Sequence, residues 1–154
     1  MKSVVLVTLL VGIAFAQLPD KPIKSYFGCD CEFTRVYRQS CSSMYDTLSS
    51  EIGAWQNGSP DGGAYTIGAS GQDSTTKQYY LVGSKLGNGS QDWMYIMSDY
   101  QTDYCSVNAI SVGNNWCFYD FGNNYCTIEE PVGFFSFEEN VWNGCRATSD
   151  NCTG

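Results

Sequence analysis

Eight cysteines and no histidine set the chemistry open to this chain. Without imidazole, Ser-His-Asp and Cys-His nucleophilic sites are closed in their usual forms. Histidine-ligated zinc, copper and haem are closed with them. The cysteines are Cys29, Cys31, Cys41, Cys105, Cys117, Cys126, Cys145 and Cys152. No C-x-x-C pair occurs among them, and Cys29-x-Cys31 is the one close pair, so the spacing speaks against a thiolate zinc site. An even number in an exported chain predicts that all eight form disulfides. Eight cysteines allow on the order of a hundred pairings, so connectivity stays open.

Carboxylates are the remaining acid–base groups. Asp99, Asp103, Asp120, Glu129, Glu130, Glu138 and Glu139 all lie in the second half. A pair of them could serve glycoside hydrolysis, but that work needs one shielded acid with a raised pKa, and spacing selects no pair. The same oxygens suit calcium, yet no stretch fits the EF-hand loop. Asp120-x-Gly122-x-Asn124 begins like one and then puts Tyr125 where the loop needs glycine. Neither a dedicated metal site nor a cofactor is expected.

Aromatic and amide side chains form the other candidate constellation. Four tryptophans and eleven tyrosines stand among many asparagines, glutamines and glycines. Trp93, Trp116 and Trp142 could stack on sugar rings while Asn114, Asn115, Asn123 and Asn124 bond the hydroxyls. The competing use of the same rings is to fill the core of a small β domain. Asn88-Gly89-Ser90 is a glycosylation sequon on an expected hairpin tip.

Charge is distributed unevenly. Residues 17–85 hold six basic and seven acidic side chains, whereas residues 86–154 hold one, Arg146, against nine. A negative field of that kind excludes nucleic acid as a partner and favours basic or cationic ones.

The elements that must position these groups follow from patterning. Met1-Lys2, the apolar run Val4 to Phe15 and Ala14-Phe15-Ala16 have the three-part plan of a secretory signal peptide over 1–16. That leaves 17–154 as one domain by length, with no later segment apolar enough to cross a membrane. Phe33, Tyr37, Cys41, Met44, Leu48 and Ile52 step at helical spacing. Ser43-x-x-Asp46 resembles a capping box and Gly53 a stop, so the spacing predicts a helix over roughly 43–52, with Cys29 to Tyr37 open to a strand. Asn57 to Thr76 is turn-rich, with Ala64 to Ile67 as its one strand candidate. Lys77 to Val82, Trp93 to Met97 and Tyr104 to Val112 read as strands. Trp93, Tyr95 and Met97 share one face; Cys105, Val107 and Ala109 share one face of the next strand. Gly113-Asn114-Asn115-Trp116-Cys117 recurs as Gly122-Asn123-Asn124-Tyr125-Cys126, which reads as two successive turns of a meander, each followed by a strand start. Val132 to Phe137 is the last strand candidate. The expected fold is β-rich α+β: an antiparallel sheet or meander, or a small barrel or sandwich, with one N-terminal helix and disulfide staples.

Two short motifs, Gly53-Ala54-Trp55 and Thr102-Asp103-Tyr104, resemble the G-x-W and T-D-Y signatures of lipocalins, secreted barrels that hold apolar ligands. The resemblance covers six residues, and the stretch between the motifs is short for the strands lipocalins place there. It implies a carrier of a small apolar ligand as one alternative, with a carboxylate glycosidase as another. The leading expectation is a secreted, extracellular protein with a binding or structural role, its partner a glycan, a matrix component or a cation-rich surface. Oligomeric state is not legible.

Overall fold

The structure is a computed structural model that describes residues 19–20, 30–60, 62–87, 89–113 and 123–145. Six strands, β1 (Asp30–Tyr37), β2 (Ala64–Gln72), β3 (Tyr79–Gly87), β4 (Gly89–Gln101), β5 (Tyr104–Gly113) and β6 (Phe137–Asn143), form one sheet in the order β2-β3-β4-β5-β1-β6. Every pairing is antiparallel. β2 and β6 end that order, so the described strands make an open sheet rather than a closed barrel or a sandwich. Two α-helices, α1 (Cys41–Ala54) and α2 (Asn123–Glu129), cover one face. The β-rich α+β class is therefore present, with two helices among the described residues and with β1 ahead of the first.

The long central strands obey period two. Trp93, Tyr95 and Met97 of β4 and Cys105, Val107 and Ala109 of β5 all point to the helix-covered inner face and are fully buried. Met94, Ile110 and Val112 form a smaller cluster on the outer face, flanked by Val82 and Ile96. α1 buries Cys41, Met44, Leu48 and Ile52, the stripe its spacing predicts. Its cap is Ser40, whose Oγ accepts from the Ser43 backbone N–H at 3.3 Å. The helix thus starts two residues earlier than Ser43 suggests, and Gly53 falls inside its last turn. Phe33 and Tyr37 continue the helical arithmetic but belong to β1. A side chain two or four residues along a strand also returns to the same face, so both templates put these rings in the core.

Three stretches depart from the sequence expectation. β2 runs on to Gln72, well past Ile67, through small residues with little strand propensity. Pairing with β3 carries it, with a register shift at Gly68. The second Gly-Asn-Asn copy does not begin a strand, because Asn123 to Cys126 wind into α2. Its helical form is held by tertiary hydrogen bonds: Asn124 Oδ1 takes the Ser111 hydroxyl at 2.9 Å, and the carbonyls of Thr127 and Ile128 take the Tyr65 and Tyr95 hydroxyls, each at 3.0 Å. Val132 to Ser136 forms turns, and the last strand starts only at Phe137. Bonds from Val132 N–H to Glu129 O and from Phe135 N–H to Val132 O close those turns around Pro131 and Gly133.

Two disulfides clamp the sheet. Cys31–Cys145 joins β1 to the residues after β6, and Cys41–Cys105 joins the start of α1 to β5. Cys126 is also disulfide-bonded. Cys29, Cys117 and Cys152 lie outside the described residues, as do the signal-like segment 1–16 and Asn88.

Candidate functional site

Two β-bulges at one end of the outer face build a cleft. In the β4–β5 ladder Asp99 faces Cys105 and Gln101 faces Tyr104, so Tyr100 is the extra residue. In the β1–β6 ladder Val36 faces Glu139 and Tyr37 faces Phe137, so Glu138 is the extra residue. A bulge sets two residues against one and re-aims a side chain that strict alternation would send to the other face. Tyr100 and Gln101 on β4 and Glu138 and Glu139 on β6 thereby line one cleft of about 220 Å³. Tyr104 of β5 and Val36 of β1 lie between them in strand order and complete the lining. Tyr100 is 48% exposed, and Gln101, Glu138 and Glu139 are exposed as well, so the walls are accessible. The turn before Tyr104 is tight, and Asp103 adopts φ 63°, a left-handed conformation that aspartate tolerates.

Behind the cleft, on the inner face, lies a polar clamp. Arg35, next to Val36 on β1, lies between the rings of Phe33 and Phe137, 4.2 and 4.5 Å from their centroids. Its Nη1 meets Glu129 Oε2 at 2.6 Å. Burial works against the guanidinium charge, but Glu129, Tyr37 and Tyr125 outweigh it and leave the group more basic than usual. Tyr37 packs edge-on against Phe135 and Phe137, and burial pushes its hydroxyl up to about 12, with the Arg35 charge pulling the other way. Burial likewise pushes the Tyr95 hydroxyl well above its ordinary value. A second pair, Lys85 Nζ to Glu130 Oε2 at 3.3 Å, sits over the Tyr65 ring. Glu129 and Glu130, two of the candidate carboxylates, are thus engaged in tying α2 and the turn after it to the sheet.

Of the sequence-derived ligand residues, Trp93, Asn123 and Asn124 are fully described. Trp93 is 0% exposed, packed between Tyr65 and Tyr95 with ring centroids 6.1 and 5.7 Å away. It fills the core rather than a surface site. Asn124 is 1% exposed, with its amide oxygen bonded to Ser111. Asn123 opens α2, where its carbonyl accepts from Thr127 Oγ1. Both asparagines belong to the inner face, away from the cleft. Trp142 lies on β6, its backbone opposite Thr34. Trp116, Asn114 and Asn115 fall outside the described residues. Glu138 and Glu139 come from the carboxylate set, whereas Tyr100, Gln101 and Tyr104 were missed. The signal available for them was two tyrosines flanking a polar turn at the tip of two alternating strands.

Of the lipocalin-like motifs, Gly53-Ala54-Trp55 ends α1 and begins a 3₁₀ turn (Trp55–Asn57), and Thr102-Asp103-Tyr104 forms the β4–β5 hairpin. The inner face beneath α1 is filled by Met44, Leu48, Ile52, Leu81, Trp93 and Met97. Among the described residues no group of three or more Asp, Glu or Cys is placed to hold a metal ion. No protein-family model, curated protein or solved structure matches the chain.

Proposed function

We propose that the protein is exported and acts outside the cell as a glycan-binding module, with the outer-face cleft as its ligand site. The observation that carries this reading is the cleft's lining: two tyrosine rings, one amide and two carboxylates around an accessible recess. Tyrosine rings offer apolar faces to the C–H surface of a sugar, and their hydroxyls, the amide and the carboxylates offer bonds to sugar hydroxyls. The volume is below that of pockets that enclose drug-sized ligands, which suits contact with one or two units of a longer chain. Export is supported by the signal-like segment 1–16 and by disulfides that persist in oxidising compartments.

The test is calorimetric titration of the intact chain with a glycan panel, repeated on Tyr100→Ala and Tyr104→Ala. Each substitution should weaken binding about two- to tenfold, the worth of one aromatic contact. Fatty-acid binding without glycan binding would replace this reading with an apolar carrier. Glycan turnover would assign Glu138 and Glu139 to hydrolysis.

A further inference from the structure

We infer that the glycan is cationic: a chain of protonated amino sugars of the glucosamine type, held by its ammonium groups between Glu138, Glu139 and the two tyrosine rings. The inference rests on the glycan-binding reading and sharpens it to one ligand charge.

The cleft has the charge complement of a cation. Among the described residues, Glu138 and Glu139 line it and no lysine or arginine does. Arg35, the basic neighbour of Val36, points to the opposite face and is committed to Glu129. Arg38 is exposed beyond the end of β1 and is not part of the lining. Asp103 is exposed in the adjoining hairpin and repeats the sign of the cleft. Residues 86–154 carry nine acidic side chains against one basic, an excess that favours association with a polycation.

The geometry suits an ammonium group in particular. The β6 bulge brings two consecutive carboxylates to one recess, where strict alternation would have parted them. An ammonium has three donors and no acceptor, so two carboxylates and a tyrosine hydroxyl or the Gln101 amide oxygen can satisfy it. Tyr100 and Tyr104 add ring faces that attract a cation as well as stack on a sugar. A neutral glycan uses the rings and the amide but gains little from paired carboxylates. A sulfated one meets like charge, with no basic side chain among the described lining residues to offset it.

The experiment titrates the intact protein with four probes in mildly acidic, low-salt buffer: a glucosamine oligomer, its fully N-acetylated counterpart, a sulfated oligosaccharide of similar length, and oligolysine. The glucosamine oligomer should bind about three- to tenfold tighter than the N-acetylated one, because exposed ion pairs contribute modestly each and two are available. The sulfated probe should not bind. Added salt should erase the preference. Glu138→Gln with Glu139→Gln should bring the glucosamine and N-acetylated oligomers toward parity, and both exposed positions tolerate the change without loss of fold. Tyr104→Ala should weaken both oligomers, since both stack on its ring. N-acetylated oligomer binding as well as or better than glucosamine overturns the cationic assignment and leaves the glycan reading standing. Oligolysine matching the glucosamine oligomer overturns the sugar part of the assignment. Failure of every oligosaccharide overturns both.

Discussion

Substituting Glu129 by Gln tests the clamp beneath the cleft. The change is nearly isosteric, so it removes a charge rather than packing. Arg35 then keeps its positive charge with 5% of its side chain exposed and only a neutral acceptor beside it. Leaving one member of a buried pair uncompensated costs about 3–5 kcal/mol. Glu129 retains 19% exposure, so water reaches the gap, and the cost should fall at or below the lower end, about 2–3 kcal/mol. That is a large share of the 5–15 kcal/mol typical of a folded domain. Arg35→Met should cost less, because it removes the buried charge, keeps an apolar stem between Phe33 and Phe137, and leaves Glu129 able to turn to solvent. The double variant should be more stable than Glu129→Gln alone. Urea unfolding followed by tryptophan fluorescence measures all three, with the slope checked for constancy. The reasoning is refuted if Glu129→Gln is within about 0.5 kcal/mol of the parent, or if Arg35→Met is the more damaging change.

Three further outcomes follow from the same core. The Tyr37 hydroxyl titrates near 10 when unfolded and about 12 when folded, so its share of stability is full below pH 10 and is lost as pH climbs through 12. At most about 3 kcal/mol is involved, and Tyr37→Phe should flatten the alkaline limb of a stability–pH curve. Replacing Cys31 and Cys145 together by serine opens a loop spanning 114 residues and should cost about 2–5 kcal/mol, seen as a lower urea midpoint. Gly83→Ala should lower the melting temperature sharply, since its Cβ would stand 1.9 Å from the Thr66 carbonyl oxygen and 2.5 Å from the Trp93 ring. An unchanged melting temperature would mean β2 does not pair there as described.

The parts of this fold that could be read in advance are those where burial is periodic. Trp93, Tyr95 and Met97 alternate strictly, and Cys41, Met44, Leu48 and Ile52 step by a helical turn, because each set answers to one continuous core. α2 was illegible because Asn123 and Asn124 have turn chemistry, and what makes them helical is a hydroxyl on Ser111, distant in sequence. The cleft was hidden for a related reason. Gln101 and Glu139 reach it through bulges, and a bulge is a property of two paired strands that neither strand announces alone. Counting aromatics pointed to tryptophan, yet Trp93 is large and apolar enough that the core claimed it.

The most direct test of the central claim is a backbone-amide NMR titration of the intact protein with the glucosamine oligomer. Shifts should concentrate at Tyr100, Gln101, Tyr104, Glu138 and Glu139, with small changes at Val36 behind them. The inner-face amides of α1 and the Trp93 indole should stay still. Shifts centred on the inner face or on the 114–122 segment, with the cleft amides unmoved, would contradict the account.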